Sequence, residues 1–424
     1  MSMRNSRLLG MAGLFIFFSY ADYGAQFVFQ MIASRILTIE DYGAYSALAS
    51  ASIAFTLFTV SFPLLALRNF SSLAVHQPSL FRPNFYKALL NLSYGVLPFG
   101  AFALVLTPWL SNFFHMRSMA ALILVIVVDI LAAYTGLCIS ALQALRLYVH
   151  SSGLTFSLTI LRVTIGIALV WLSNASYVGL FIGLLIAHVA VIGVALWILK
   201  SKMPPGGLSG PLTFNFSGWQ DAVFSSVGMG FLVGMDNLLA RHFFSPTESG
   251  MYAAASTAAK IVLIIASPLL NLVIPEVTHA QKRHAQHFRL LVALAVAIPL
   301  LSWATLCIIP DLTLSLLVGS KYGAAQDILP TLAGSFLCLN LVSLMNQYCF
   351  ARHLRPYFYC LYGSSLLSLL MIVTLFSETP KRMATGTLLG STLTAIAGAL
   401  CIWALRQRGT DSKAANAQEE PLAS

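Results

Sequence analysis

Long apolar runs constrain the fold of this chain more than any other feature of its sequence. Each run holds roughly 20 residues or more, which is the length that lets a helix cross the hydrocarbon core of a bilayer. Only 9% of the 424 residues are charged, whereas a soluble domain carries about 25%. The sequence therefore predicts an all-α polytopic membrane protein with about 12 transmembrane helices. The predicted spans are 8–37, 44–67, 85–107, 118–145, 148–172, 177–199, 217–243, 251–274, 288–309, 324–350, 356–376 and 384–405.

The basic residues predict how the chain lies in the membrane. Its formal net charge is +10. With a cytoplasmic N-terminus, most Lys and Arg residues fall in cytoplasmic loops and tails, as the positive-inside rule describes. The charge therefore needs no nucleic-acid partner, and we predict that both termini are cytoplasmic. The predicted outer side holds only Arg35, Arg117, Arg241, Lys321, Lys381 and Arg382.

An internal repeat divides the predicted spans six and six. Because each half has an even number of spans, the two repeats point the same way and form two parallel six-helix lobes around a central cavity. We predict an N-terminal lobe at 1–204, a C-terminal lobe at 205–406 and a disordered cytoplasmic tail at 407–424. The paired markers, in nearly constant register, are Gly43 with Gly250, Tyr45 with Tyr252, Pro63 with Pro268, Pro98 with Pro299, Pro108 with Pro310 and Gln143 with Gln347.

Charged residues inside the spans are the candidates for function, because a charge in the bilayer interior is costly. Asp22, Asp236 and Lys260 lie in spans 1, 7 and 8, which a six-plus-six repeat places at the central interface. A carboxylate at this interface can bind a proton or a cation, or can neutralise Lys260. We predict that Asp22 and Asp236 face the cavity or bind a coupling ion. For Asp129 and Arg162, in spans 4 and 5, the simplest interpretation is an internal ion pair.

Three other charged or titratable residues have competing interpretations. Arg68 ends span 2 on the predicted cytoplasmic side, where it is either a topological anchor or a bidentate ligand for a phosphate group. Asp221 stands near a span end and fits the membrane interface. His188 fits a hydrogen-bonded core residue better than a proton relay.

The chain lacks the motifs of enzymes and metal sites. It has no Gly-x-Ser-x-Gly, no Walker loop, no His-Glu-x-x-His and no Cys-x-x-Cys among its six cysteines. We therefore expect neither catalysis nor a cofactor nor a metal.

Several stretches resemble the polysaccharide (O-antigen type) flippases of the multidrug/oligosaccharidyl-lipid/polysaccharide exporter superfamily. The resemblance covers nearly the whole chain, from about residue 8 to residue 405. The stretches that carry it are ASRILTIEDYGAYSALAS, LLALRNFSS around Arg68, LQALRLY, MDNLLARHFFSPTESGMYAAAS, VIPE and VGSKYGAAQDILPTLAGS.

This resemblance implies a substrate and a mechanism. The substrate would be an isoprenoid (undecaprenyl)-pyrophosphate-linked oligosaccharide, moved from the cytoplasmic to the outer leaflet of the bacterial inner membrane by alternating access for surface polysaccharide synthesis. Arg68, Lys260 and Arg162 are then the candidate pyrophosphate ligands. Membrane lipids, a polysaccharide polymerase and glycosyltransferases are candidate partners. Two alternatives stay open: a cation-coupled small-molecule or multidrug antiporter of the same fold, and a membrane glycan polymerase or ligase.

Overall fold

The computed structural model describes residues 3–116, 118–172, 177–205, 219–271, 273, 284–352 and 354–419, and nearly all of them are helical. Within them, ten helices are long and apolar enough to cross a membrane. The prediction of an all-α polytopic membrane protein is confirmed. Predicted spans 1 and 8 are not among those ten helices. The first corresponds to a helix whose side chains are described only in part, and the second is broken into short pieces.

The described part of the first half contains eight α-helices. They are α1 (Met3–Ile36), α2 (Ile39–Ala51), α3 (Phe62–His76), α4 (Phe81–Val105), α5 (Thr107–Phe113), α6 (Met119–Ala144), α7 (Tyr148–Leu172) and α8 (Val178–Lys202). The described part of the second half contains α9 (Trp219–Phe243), α10 (Pro246–Ala259), α11 (Ile261–Ile264), α12 (Ser267–Asn271), α13 (His284–Ile308), α14 (Pro310–Leu317), α15 (Leu329–Ala351), α16 (Arg355–Leu375) and α17 (Pro380–Glu419).

The second span is a distorted helix. Between α2 and α3 the backbone forms a 3₁₀ turn (Ser52–Phe55) and then a π-helix (Leu57–Ser61). Pro63 follows immediately, and a proline inside a helix removes one hydrogen bond and clashes with the preceding turn. Gly136 of α6 allows this kink, because a Cβ atom there would lie 2.8 Å from the ring of Pro63. Single-turn π distortions often occur at functional sites.

The internal repeat also pairs two acidic residues, Asp41 and Glu248, each two residues before a paired glycine. They lie in the first turns of α2 and α10. Thr38 caps α2 by accepting a hydrogen bond from the Asp41 amide at 3.1 Å. Ser245 and Glu248 form a reciprocal capping box at the start of α10. Because helix N-termini favour side-chain acceptors and negative charge, these positions explain the acidic residues of the repeat without a role in binding.

Each half packs mainly on itself. In the first half α8 packs on α6 and α7, and α7 packs on α1. In the second half α17 packs on α15 and α16, and α9 packs on α16. The helix α17 continues to Glu419, so residues 407–419 are helical where we predicted a disordered tail. Their Ala, Gln and Glu residues favour continuation of the helix; residues 420–424 lie outside the described part.

The two halves meet where α2 packs against α9 and α10. At this contact Gly43 lies directly against Gly250. A Cβ atom added to Gly43 would lie 2.8 Å from the Cα of Gly250, and one added to Gly250 would overlap the carbonyl oxygen of Ile39. Two markers of the internal repeat therefore touch each other across the interface, and only glycine allows the backbones to approach so closely.

Candidate functional site

A cavity of about 500 Å³ lies between the two halves. On one side it is lined by α1, α2, α6, α7 and α8, and on the other by α9, α10 and α11. Its polar or charged lining residues are Gln26, Gln30, Tyr45, Ser46, Ser50, Ser52, Asp129, Arg162, His188, Thr257 and Lys260.

Two cations line this cavity from opposite halves. Arg162 projects from α7, and the Cζ of its guanidinium lies 4.9 Å from the centre of the Phe29 ring. Its buried Nε has no hydrogen-bond partner. Lys260 follows the last residue of α10, and its Nζ lies 5.8 Å from the centre of the Phe336 ring. The aromatic faces attract the two cations, and both side chains line the space that an anion would occupy.

Asp129 and His188 also line the cavity, although neither was among our predicted site residues. Asp129 is only 5% exposed, and its Oδ2 has no hydrogen-bond partner. It makes no ion pair within 4.0 Å with Arg162, both residues being described, so the predicted internal ion pair is wrong. The Nδ1 of His188 lies 2.9 Å from the hydroxyl of Thr135, as expected of a hydrogen-bonded core histidine.

Asp22 lies beside the cavity rather than in its lining. Its Oδ1 accepts a short hydrogen bond from Thr159 of α7, and its Oδ2 accepts one from Gln26 at 2.8 Å. Gln26 itself lines the cavity, so its side chain lies between the Asp22 carboxylate and the cavity. It joins α1 to α7 within the first half.

Asp236 belongs to a different, smaller pocket inside the second half. Serine and threonine side chains surround it there, including Ser335, Ser368 and Thr387. Its Oδ2 accepts a hydrogen bond from Ser256 at 3.2 Å, whereas its Oδ1 has no partner. The structure therefore separates Asp236 from the central cavity that Lys260 lines, although both residues lie on neighbouring helices.

Arg68 lies on α3, exposed and outside the residues that line the central cavity. It stands beyond the kink at Pro63, in the half of this span that is further from the Gly43–Gly250 contact. The structure thus brings Arg162 and Lys260 together and leaves Arg68 at a distance from them.

Hydrogen bonds between the halves close one end of the interface, which we call the closed end and define by residues 34–42, 113–115, 241–245 and 316–322. Tyr42 donates to Thr257 at 2.8 Å, and Tyr322 donates to the carbonyl of Ser34 at 3.0 Å. Arg241 of α9 donates to the carbonyls of Phe114 and His115. These bonds hold the two halves together on this side.

Two cationic side chains, one in the last turn of α1 and one in the 3₁₀ helix Ser320–Ala325, add hydrogen bonds at the closed end. Arg35 donates to the carbonyl of Leu316 at 2.7 Å, and Lys321 donates to the carbonyls of Arg35 and Leu37. Partial removal from water lowers the pKa of the Lys321 ammonium.

The cavity continues away from the closed end. A second space of about 470 Å³ shares Gly230 and Val233 with it and extends to Val60 and Leu64 on one side and Phe350 on the other. Val60, Leu64 and Phe350 lie in the parts of their membrane spans that are further from the closed end. The second space therefore adjoins the cavity on the side away from the closed end, and we call this side of the bundle the open end.

Solved structures give the architecture a context. One resembling this chain is the inward-facing conformation of a multidrug resistance MATE family transporter of the MOP superfamily, with a TM-score of 0.70, 11% identity, 92% of this chain covered and 95% of that one. The eukaryotic MATE transporter AtDTX14 gives 0.63, 13% identity and coverages of 94% and 96%. The lipid II flippase MurJ in an inward closed conformation gives 0.62, 13% identity and coverages of 91% and 87%.

The chain has the fold of the MOP-superfamily transporters. No protein-family model and no curated protein matches its sequence, so the similarity rests on structure. These neighbours are transporters. In this chain, Arg162 and Lys260 line the cavity between the two halves.

The sequence pointed to Arg162 and Lys260 because each is a lone charge in an apolar span. The roles of Gln26, Gln30 and Tyr45 in the cavity were missed. Uncharged polar residues are frequent in membrane helices, and only the rotation of each helix decides whether they face a cavity or a neighbouring helix.

Proposed function

We propose that this protein is a flippase that moves an isoprenoid-pyrophosphate-linked oligosaccharide from the cytoplasmic to the outer leaflet of a bacterial inner membrane. The observation that carries the proposal is the pair of cations, Arg162 and Lys260, lining one cavity from opposite halves. A pyrophosphate bound between them would couple anion binding to the relative position of the halves. That coupling is what alternating access requires.

The free-energy cost of moving a charged head group across the bilayer explains why such a protein would keep two cations in its cavity. Polar and charged groups cannot cross the hydrocarbon unaided, because each unsatisfied group costs several kcal/mol there. A sheltered cavity removes this cost for the head group while the isoprenoid chain stays in lipid. Outward movement of negative charge also gains about 2.3 kcal/mol per charge for each 100 mV of inside-negative potential.

The orientation predicted from the basic residues agrees with this direction of transport. In that orientation the closed end, which includes Arg35 and Lys321, faces outward, and the termini and the open end face the cytoplasm. A substrate completed on the cytoplasmic leaflet would then enter through the open end. Arg68, exposed on the open-end half of its span, is in our proposal the first phosphate contact rather than a ligand inside the cavity.

We further propose that Asp22 and Asp236 couple transport to a cation or proton. Each is hydrogen-bonded within its own half, Asp22 to Thr159 and Asp236 to Ser256. A carboxylate that gains or loses a positive charge would change these local bonds and so the packing of its half. Neither carboxylate lines the central cavity, which leaves that cavity to the substrate.

The test is complementation of a deletion strain, scored for surface glycan and for intracellular lipid-linked oligosaccharide. We expect the deletion to lose the glycan and accumulate the precursor, and Arg162→Gln and Lys260→Gln to behave like the deletion while remaining in the membrane. Lys381→Ala, which removes an exposed cation outside the cavity, is the matched control and should export normally. Normal export by either cavity variant would refute the pyrophosphate assignment.

A cation-coupled small-molecule or multidrug antiporter is the second candidate. The observation that favours it is that two carboxylates lie within membrane helices, Asp22 and Asp236, each hydrogen-bonded within its own half. The fold is also similar to that of multidrug transporters. In that case the deletion strain would keep its surface glycan and become more sensitive to cationic drugs. The same assay therefore separates the two candidates.

A further inference from the structure

The two walls of the central cavity differ in chemistry. Of the residues that the structure describes, the second half contributes two polar side chains to the cavity lining, Lys260 and Thr257. The hydroxyl of Thr257 already accepts a hydrogen bond from Tyr42. The first half contributes amides, hydroxyls, a carboxylate and aromatic rings. Binding of an anion requires cations, and the first half supplies one, Arg162. The rest of its polar lining needs a different explanation.

Asp129 is the most informative residue of that wall. Its side chain is more than nine-tenths buried, lines the cavity, and has an Oδ2 without a hydrogen-bond partner. A buried carboxylate oxygen without a donor is costly, and the cost disappears when a ligand supplies one. The ligand of this cavity should therefore carry hydrogen-bond donors as well as the negative charge that Arg162 and Lys260 attract.

The surroundings of Asp129 suggest which donors these are. Gln26 and Gln30 project from α1 into the same space, and each amide can both donate and accept. Tyr45 and Phe181 line it too, with ring centres 5.4 Å apart. Hydroxyl groups on a ring with apolar C–H faces match this combination, because the hydroxyls suit the amides and the carboxylate while the C–H faces suit the aromatic rings.

A cationic ligand fits the same wall less well. A single carboxylate would have to hold it beside two fixed cations, Arg162 and Lys260, that line the same cavity and repel it. A neutral hydroxyl meets no such repulsion and gains a charge-assisted hydrogen bond from the carboxylate.

We propose that Gln26, Gln30, Tyr45, Asp129 and Phe181 form a sugar-binding wall that holds the first sugar residues of the substrate, next to the anionic group bound by Arg162 and Lys260. The carboxylate of Asp129 accepts hydrogen bonds from the sugar hydroxyls. This assignment rests on the proposed function, since it places the sugar beside a bound pyrophosphate. It makes Asp129 a determinant of specificity for glycan over bare lipid pyrophosphate.

The experiment compares two probes on purified full-length protein in lipid nanodiscs. One probe is undecaprenyl pyrophosphate without sugars, and the other is the lipid-linked oligosaccharide extracted from the deletion strain. We expect Asp129→Asn to weaken binding of the oligosaccharide probe by about ten-fold or more, the loss of a charge-assisted hydrogen bond, and to leave binding of the bare pyrophosphate undiminished. The matched control is Asp327→Asn, which removes an exposed carboxylate from the turn just before α15.

The outcomes separate the two proposals. Suppose that the wild type binds both probes. If Asp129→Asn binds both probes as well as the wild type does, or binds both more weakly by the same factor, the sugar-binding wall is refuted and the flippase proposal stands. If the wild type binds neither probe, the flippase proposal fails and the sugar wall fails with it. Gln30→Ala provides a second variant that leaves the buried carboxylate in place, and it should show the same selective loss for the oligosaccharide probe.

Discussion

The contact between Gly43 and Gly250 predicts that one methyl group can open the closed end. A Cβ atom on Gly43 would lie 2.8 Å from both the Cα and the amide nitrogen of Gly250. Ordinary van der Waals contacts of a Cβ atom lie at 3.4–4 Å. Both atoms belong to the backbone, so no side chain can rotate away, and α2 and α10 must separate by several tenths of an ångström or more.

The magnitude follows from the cost of overpacking, which is about 1–3 kcal/mol for an added methylene-sized group in a well-packed site. The penalty applies only to the conformation in which the closed end is sealed. Gly43→Ala should therefore shift the equilibrium toward opening of that end by roughly 5-fold to 150-fold. Gly250→Ala should shift it further, because its Cβ atom would overlap the carbonyl oxygen of Ile39.

The assay is labelling of a cysteine at Ala49, a small exposed residue in the cavity lining. The six native cysteines are first replaced, and sealed vesicles are treated with a membrane-impermeant maleimide on the closed-end side. We expect faster labelling in the Gly43→Ala background and unchanged labelling in Gly153→Ala, where a Cβ atom meets nothing within 4 Å. Equal labelling rates in all backgrounds, with each variant folded, would refute the reasoning.

Three further predictions use the same structure. Tyr42→Phe removes the hydrogen bond to Thr257 and should increase the same labelling by a smaller factor, since one neutral hydrogen bond is worth about 0.5–1.5 kcal/mol. Thr159→Val removes the donor to Asp22 and should lower the rate of transport in proteoliposomes without changing binding of lipid pyrophosphate. Asp236→Leu should lower transport and leave the affinity for lipid pyrophosphate unchanged in a nanodisc titration, because Asp236 lies outside the cavity.

The architecture could be predicted from the sequence because its signals are strong and local. Apolar runs of span length admit almost only helices in a membrane, and the repeat of Gly43 and Gly250 in matching frames indicates two related halves. The same signals could not show that the two glycines touch. Contact between repeats depends on how the halves dock, which no local pattern records.

The sequence could predict site residues only where a charged side chain lies within an otherwise apolar span. Arg162 and Lys260 stand out as charges among apolar neighbours, and both line the cavity. Arg68 looked equally promising, yet helix α3 places it outside the cavity, because the π-helix and Pro63 redirect the chain before it. Asp129 looked like half of an ion pair, because the sequence gives the spacing of spans but not the rotation of one helix against another.

Transport of a lipid-linked oligosaccharide by purified protein in liposomes tests the central claim most directly. The labelled substrate, extracted from the deletion strain, is placed in one leaflet, and its arrival in the other is measured by protection from an added glycosidase. The account predicts transport by the wild type and by Lys381→Ala, with at least a ten-fold loss in Arg162→Gln and in Lys260→Gln, each removing one charge-assisted contact. Transport by either cavity variant at the rate of the wild type would contradict it.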